Sequence, residues 1–290
     1  MNRRNFLGTG LGGLSLLALK PAEALAQVEQ HPLETQIEEY IAQLRRHGDI
    51  RETTRTAWKV YDLFSGSELV TINEDQEMQA RSPVFVPILA LAYFHEVNAG
   101  NIPSSEQLDN TIFSSMIYEG DEPRPEGRPT PRQEATSLLG GLEGINRIIR
   151  ENYGGVFVQA EIQENQPWRV SAHDLSRFLY AFYHEELGLS PELQAQFAEI
   201  MQSTVLASRL SDDFSTRPID TEETYGVFGH GSASVLVKAQ ARTGSTFPYI
   251  FVGIINTEWD FLHFEETDLI RAVSEMVYEH QQRIYGLVDL

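Results

Sequence analysis

The spacing of hydrophobic and polar positions predicts that the chain opens with a helix followed by two strands. Residues 32–47 carry apolar side chains at helical spacing, and Gly48 follows as a stop signal. Residues 55–64 and 69–73 are rich in apolar and β-branched side chains and are predicted as two strands joined by a short polar turn. The order of these elements indicates a helix that packs against a β-hairpin.

The middle of the chain is predicted to be helical. Residues 82–98 are apolar on almost every side of the predicted helix, which indicates a helix buried on most of its circumference. Residues 99–224 continue as helices with proline-rich interruptions. Ser171, with Asp174 three residues later, is a helix start of the capping-box type, and Pro191 after Ser190 marks another start.

The pattern returns to strands after Tyr225. Residues 233–241 and 249–256 are predicted strands around a Thr-Gly-Ser turn, and residues 267–285 form a long amphipathic helix. The whole order predicts an α+β fold. An antiparallel sheet would be flanked by the N- and C-terminal helices, with an all-helical subdomain inserted between the strands.

The first 26 residues have the features of an export signal rather than of a folded element. The pair Arg3 and Arg4 precedes an apolar run over residues 7–19, and an Ala-Leu-Ala site ends at Ala26. The arginine pair resembles a twin-arginine signal; the alternative is an ordinary secretory signal with two chance arginines. We expect residues 1–26 to be removed and the mature protein to be periplasmic or secreted. No later segment approaches the about 20 apolar residues of a membrane span.

The mature chain is therefore divided, as a prediction, into two subdomains. Residues 27–75 and 225–290 would form an α/β subdomain, and residues 76–224 a helical one. The formal net charge of −20 argues against binding to nucleic acid, because both surfaces would repel each other. The chain has no cysteine, and its eight histidines lack zinc-type spacing, so we expect no disulfide, metal or cofactor.

Several short strings occur in an order that resembles the class A β-lactamase and penicillin-binding-protein family. They are residues 60–66, 80–89, 141–146 and 171–178. The resemblance implies a β-lactamase/transpeptidase-like fold and the serine hydrolase motifs S-x-x-K, S-D-N and K-T-G. In that machinery the serine sits at a helix N-terminus, and the lysine one turn later accepts its proton.

The first motif lacks its lysine. The sequence at the matching place is Ser82-Pro83-Val84-Phe85, and no serine in the chain has a lysine three residues later. The nearest approximation is Thr56 with Lys59, on a predicted strand. Ser82 therefore has three interpretations: a helix cap, a nucleophile with residual activity, or a polar contact in a binding cleft.

The second and third motifs are degenerate as well. Gly120-Asp121-Glu122 retains only Asp121, and it is also compatible with a solvated turn. Gly229-His230-Gly231-Ser232 matches the third motif in two registers, with Gly231 and Ser232 as binding residues and His230 as a doubtful base or cation. An edge-strand histidine without a role is the alternative for His230. Arg242-Thr243-Gly244 resembles K-T-G but is predicted to be a hairpin turn.

Three functional hypotheses follow. The first is a β-lactamase-like serine hydrolase homologue, catalytically impaired, whose cleft binds a peptidoglycan-type peptide, a β-lactam-like molecule or another small carboxylate. The second is an active esterase or peptidase in which His230 activates Ser82, with Asp121 assisting. The third is a non-catalytic interaction module in which Phe85 and its neighbours fill the former cleft.

Overall fold

The structure is a computed structural model, and it describes 30–80, 82–103, 131–158, 168–210, 224–229, 231–241, 243–256 and 263–286. The chain divides into two compact units, Met1–Gln30 and His31–Leu290. All the helices and strands below belong to the second unit. The predicted signal peptide at residues 1–26 lies outside the described residues.

The centre of the fold is a five-stranded antiparallel sheet with the strand order β2-β1-β7-β6-β5. Its strands are β1 (Arg55–Asp62), β2 (Ser67–Val70), β5 (Thr224–Gly229), β6 (Ser232–Gln240) and β7 (Thr246–Asn256). The prediction of one antiparallel sheet is confirmed. So is the turn between the last two strands, where the Gly244 N–H donates to the Ala241 carbonyl over 2.9 Å and Gly244 has a φ of +81°.

The two faces of this sheet are covered by different helices. On β6, Ala233, Val235, Val237 and Ala239 face the N-terminal helix α1 (Pro32–His47) and the C-terminal helix α7 (His263–Tyr285). We call this the back face. The alternate residues of β6, which include Ser232, Ser234, Leu236 and Lys238, define the front face.

The front face is covered by helices from the middle of the chain. They are α2 (Ser82–Asn98), α5 (Ala172–Tyr183) and α6 (Pro191–Leu210), and the shorter helices α3 (Pro131–Leu138) and α4 (Gly141–Tyr153) pack on α2. α2 and α6 contact β5, while α5 crosses β1, β7 and β6. The sheet is thus flanked by the terminal helices on one side and by the helical block on the other.

Local signals explain where the helices begin and end. α1 begins after His31, whose Nδ1 accepts the Leu33 N–H over 3.2 Å, and it ends at Gly48 with a φ of +78°. α2 has the predicted bounds, and seven consecutive residues in it, 88–94, are wholly buried. Seven consecutive positions span two turns, so the prediction of a helix buried on most of its circumference is confirmed.

Besides β5, two further short strands were not predicted. β3 (Met78–Ala80) and β4 (Trp168–Val170) pair antiparallel, with Met78 opposite Val170. A three-residue strand is too short to show an alternating pattern, and its partner lies about 90 residues away, so sequence periodicity carries no signal for it. Within the described residues, no helix is long and apolar enough to cross a membrane.

Candidate functional site

The sequence resemblance places a serine hydrolase site at the start of α2 and at the turn between β5 and β6. α2 begins at Ser82, as the resemblance implies, and the helix packs on β5 and β6. The N-terminal end of a helix carries unpaired N–H groups and a partial positive charge. The structure describes only the backbone of Ser82 and Phe85, and the predicted site residues Asp121 and His230 lie outside the described residues.

The third motif lies at a strand end and a turn. Gly229 is the last residue of β5 and pairs with Ser232, the first residue of β6. Gly231 lies between them with a φ of +76°, and a Cβ atom there would approach Glu266 Oε2 to 2.6 Å. The positive φ therefore favours glycine at Gly231, and a side chain there would have to displace the Glu266 carboxylate of α7. The motif residues divide between two strands instead of following one another along a single strand.

Ser232 is the predicted site residue whose side chain the structure defines best. It is 1% exposed, on the front face, and its Oγ has no hydrogen-bond partner among the described residues. A buried hydroxyl without a partner is unfavourable, so such groups usually serve a ligand or water. Ser234, also buried, follows on the same face of β6. The end of the hairpin thus carries a buried hydroxyl whose partner is not among the described residues.

Lys59 does not form a substitute for the missing motif. It is 3% exposed on β1, and its Nζ lies 2.6 Å from Glu68 Oε1 and also pairs with Glu74. Residues three apart on a strand point to opposite faces, so Thr56 and Lys59 are not a nucleophile and its base. His173, at the start of α5, lies 3.6 Å from the same Glu74 carboxylate. This lysine belongs to an ion-pair cluster under α5.

Lys238 is engaged at the opposite end of β6. It lies six residues from Ser232, which is about 20 Å along a strand. Its Nζ is 4.9 Å from the centroid of the Tyr225 ring. The two lysines that the structure describes are therefore both engaged, Lys59 in the ion-pair cluster under α5 and Lys238 beside the Tyr225 ring at the far end of β6. Among the described residues, no group of three or more acidic and histidine side chains could hold a metal ion.

Sequence reasoning missed the Lys59 cluster. The available signal was a lysine inside an otherwise apolar strand, between Trp58 and Val60, because a buried ammonium needs carboxylate partners. Nothing in the sequence indicates that Glu68 and Glu74 are those partners. The predicted hairpin at residues 242–244 is confirmed at Thr243 and Gly244, which lie in the turn between β6 and β7. Arg242 lies outside the described residues.

Comparison with known proteins finds similarity in structure only. No model of a protein family matches the chain, and no curated protein matches it either. A solved structure of a point mutant of PBP-A, an acyl-enzyme complex with penicillin G, superposes with a TM-score of 0.63 and 16% identity, covering 87% of this chain and 96% of that one.

Two β-lactamase structures superpose over a similar length. A β-lactamase from Chitinophaga pinensis gives a TM-score of 0.58 and 13% identity, covering 86% of this chain and 98% of that one. A class A β-lactamase representative from Bacteroides cellulosilyticus gives a TM-score of 0.58 and 12% identity, covering 87% and 99%. At such low identity the similarity concerns the fold. The chain has the β-lactamase/transpeptidase-like fold that class A β-lactamases and PBP-A share, as the sequence resemblance implied.

Proposed function

We propose that this protein is an exported, catalytically impaired homologue of the penicillin-recognising serine hydrolases, whose cleft binds a small carboxylate without hydrolysing it efficiently. The observation that supports this is where the lysines lie. The chain has three, Lys20, Lys59 and Lys238, and none follows Ser82 by three residues. Lys59 is buried in an ion-pair cluster on β1, and Lys238 lies over Tyr225 at the far end of β6.

The expected loss of activity is large because the proton acceptor is missing. Removing a general base typically lowers a rate by about 10²–10⁴-fold, and by more when several residues act together. Phe85 replaces the lysine and has no atom that accepts a proton. The second motif retains only Asp121, and the third has no lysine. We therefore expect little or no β-lactam hydrolysis.

A remaining role in binding is supported by Ser232. Its buried Oγ lacks a hydrogen-bond partner among the described residues and lies at the hairpin that meets α2. The PBP-A mutant with the same fold forms an acyl-enzyme complex with penicillin G. For this chain we propose a peptidoglycan-type peptide or a β-lactam-like molecule as the ligand class, held by Ser82, Asp121, Gly231 and Ser232. Nucleic acid is not proposed as a partner, because the net charge is −20.

Export is part of the proposal. We propose removal of residues 1–26 and a periplasmic or secreted mature chain with the two subdomains, 27–75 with 225–290 and 76–224. The basis is the arginine pair Arg3 and Arg4, the apolar run after it and the Ala-Leu-Ala site. N-terminal sequencing of protein exported by a bacterial host should begin at Gln27. A chain that stays in the cytoplasm with its N-terminus intact would contradict this part.

The catalytic part is tested with the purified mature protein and benzylpenicillin. Intact-mass analysis should show no adduct on Ser82, and a chromogenic cephalosporin should turn over no faster than with the matched variant Ser82→Ala. Binding is measured separately by titration with unlabelled benzylpenicillin and with D-alanyl-D-alanine. We expect saturable binding of one of these that weakens in Ser232→Val, a change of similar volume that removes the hydroxyl.

Each part of the proposal would be contradicted by a different experimental result. A stable adduct that disappears in Ser82→Ala, or turnover that does so, would favour the active enzyme in which His230 assists Ser82. Absence of binding of both probes would favour the interaction module instead. Phe85→Lys alone should not restore hydrolysis, because the other two motifs are also altered; Phe85→Leu is its control. Recovery of turnover in Phe85→Lys would show that those two motifs still function.

A further inference from the structure

A separate pocket of about 360 Å³ lies between the end of α5, the start of α6 and strands β5 and β6. That volume is within the usual range of small-molecule sites. The pocket is lined by Leu236 and Lys238 of β6, which lie four and six residues from Ser232, about 14 to 20 Å along the strand. The pocket is therefore separate from the cleft of the proposed function, and the two proposals can be tested independently.

The inner wall of this pocket is apolar and largely aromatic. Phe182 from α5, Tyr225 from β5 and Leu236 from β6 all line it. The Phe182 and Tyr225 rings pack with their centroids 5.6 Å apart, so the wall is held rigidly. Flat, rigid aromatic side chains stabilise an apolar or aromatic ligand body at a small loss of conformational entropy.

One end of the pocket carries positive charge. Lys238 is half-buried, and its Nζ lies 4.9 Å from the Tyr225 ring centroid, which fixes the ammonium beside the aromatic wall. An ammonium has three N–H donors, so it can bind a ligand carboxylate together with its other contacts. Pro191 and Gln194, in the first turns of α6, also line the pocket, and the N-terminal end of that helix favours an anion.

The pocket also contains a glutamate in an unfavourable backbone conformation. Glu185 lines the pocket and has a φ of +58°, at the end of α5 where its N–H donates to the Phe182 carbonyl over 3.2 Å. Helix ends in this left-handed conformation usually have glycine or asparagine, because a side chain there costs free energy. Strained residues of this kind concentrate at binding sites. The Glu185 carboxylate is exposed and can accept an N–H or O–H group.

We propose that this pocket binds a small zwitterionic molecule of the amino-acid class, with its carboxylate on Lys238, its apolar or aromatic body on Phe182 and Tyr225, and its ammonium on Glu185. The two charges of the pocket have opposite signs and stand beside one apolar wall, which is the arrangement that such a ligand complements. The volume admits a single amino acid with a large side chain and excludes a macromolecule.

The probe is L-phenylalanine, titrated against the isotope-labelled mature protein with backbone amide NMR signals as the readout. We expect saturable shifts at residues lining the pocket, with a dissociation constant at or below about 10 mM. 2-Phenylethylamine lacks the carboxylate and 3-phenylpropionate lacks the ammonium. Each should bind more weakly, the amine by about tenfold or more, because it loses the charge-assisted contact with Lys238.

Variants localise the binding to the pocket. Lys238→Met should weaken phenylalanine binding about tenfold or more, while Lys238→Arg retains it. Ala195→Trp, on an exposed position of α6 that lines the pocket, should block binding, and Glu199→Trp on the same helix outside the pocket should not. These α6 variants keep the test decisive if Lys238→Met does not fold.

The variant Glu185→Gly distinguishes a role of Glu185 in ligand binding from a role in stability alone. Glycine removes the backbone strain, so the melting temperature should rise by about 1–3 °C. The same variant should weaken binding of phenylalanine but not of 3-phenylpropionate. The proposal is overturned if phenylalanine gives no saturable shift up to about 10 mM, if 2-phenylethylamine binds equally well, or if the shifts map to the motif hairpin.

Discussion

The two faces of the five-stranded sheet are built from alternate residues of the same strands, yet they differ in chemistry. On β1 the back face has Trp58 and Val60, both wholly buried, while the front face has Lys59 between Ala57 and Tyr61. On β6 the back face has only alanine and valine from 233 to 239, while the front face has two serines and a lysine. Side chains alternate between the faces of a strand, so one strand can present apolar residues on one face and polar residues on the other.

Both faces pack on an apolar core, and the front face in addition carries polar groups that a ligand can contact. Buried polar and charged groups are unfavourable unless they are paired or used, and apolar packing has no such requirement. The front face includes the Lys59 ion-pair cluster, the pocket at Lys238 and the Ser232 hydroxyl, which has no hydrogen-bond partner among the described residues. We therefore expect back-face substitutions to change stability, and substitutions of the polar groups on the front face to change binding as well.

The largest expected effect is Trp58→Ala on the back face. Trp58 is fully buried, packs on Phe251 with ring centroids 6.1 Å apart, and lies over Gly253. Removing so large a side chain leaves a cavity, so the free energy of unfolding should fall by about 3–5 kcal/mol. Denaturant unfolding measures it, with Leu138→Ala, at a 46% exposed position, as the control that should change little. A loss below about 1 kcal/mol would contradict the packing role.

The next effect is Lys59→Met on the front face. The ammonium is buried, and its removal leaves the Glu74 carboxylate, 19% exposed, without its main cation. We expect a loss of about 2–4 kcal/mol in the free energy of unfolding, because an unpaired, partly buried charge is unfavourable. Glu68→Gln is the matched comparison: that side chain is 55% exposed, and its loss should cost about 0–1 kcal/mol. Equal losses of unfolding free energy in both variants would mean that the burial of the charged groups does not determine how much this cluster stabilises the fold.

Gly253→Ala tests the back face from the other side of the same contact. A Cβ atom at Gly253 would lie 2.4 Å from the Trp58 ring, so the methyl group overpacks the core. We expect a loss of about 1–3 kcal/mol in the wild-type background and a smaller one in Trp58→Leu, where the ring is absent. The double-mutant cycle measures that difference. An equal loss in both backgrounds would show that Trp58 is not what excludes a side chain at Gly253.

The smallest effect is a pH dependence at the edge of the back face. Burial lowers the pKa of His280 on α7 below its ordinary value of 6.5, and the neighbouring His31 and Arg283 lower it further, whereas Asp62 opposes them. As the pH falls below about 6.5, His280 is protonated in the unfolded chain before it is protonated in the folded protein. The contribution of His280 to stability is therefore present above that pH and is lost as the pH falls through the pKa of the folded state.

Thermal unfolding between pH 7.5 and 5 checks this prediction. The melting temperature should fall less steeply in His280→Gln, by about 1–2 °C over the range, because solvent screening keeps the effect small. His47→Gln is the control, since that side chain is 62% exposed at the end of α1. A steeper fall in His280→Gln than in the wild type would contradict the lowered pKa.

The sequence by itself determined the elements whose signals are local. The bounds of α1 and α2, the glycine stop at Gly48 and the start of α5 all follow from neighbouring residues. At that start Ser171 Oγ accepts the Asp174 N–H over 3.0 Å, as the capping pattern predicted. The order of the elements and the motif resemblance led to the fold, because such signals need only a few consecutive residues.

The tertiary structure alone decided how distant residues meet. It paired β3 with β4, joined Lys59 to Glu68 and Glu74, and placed the Glu266 carboxylate of α7 against Gly231. It also brought Phe182 and Glu185 to Tyr225 and Lys238 to form a pocket that no sequence motif indicates. These contacts join residues far apart in the chain. Their positions depend on the packing of the whole core, and local sequence patterns do not encode it.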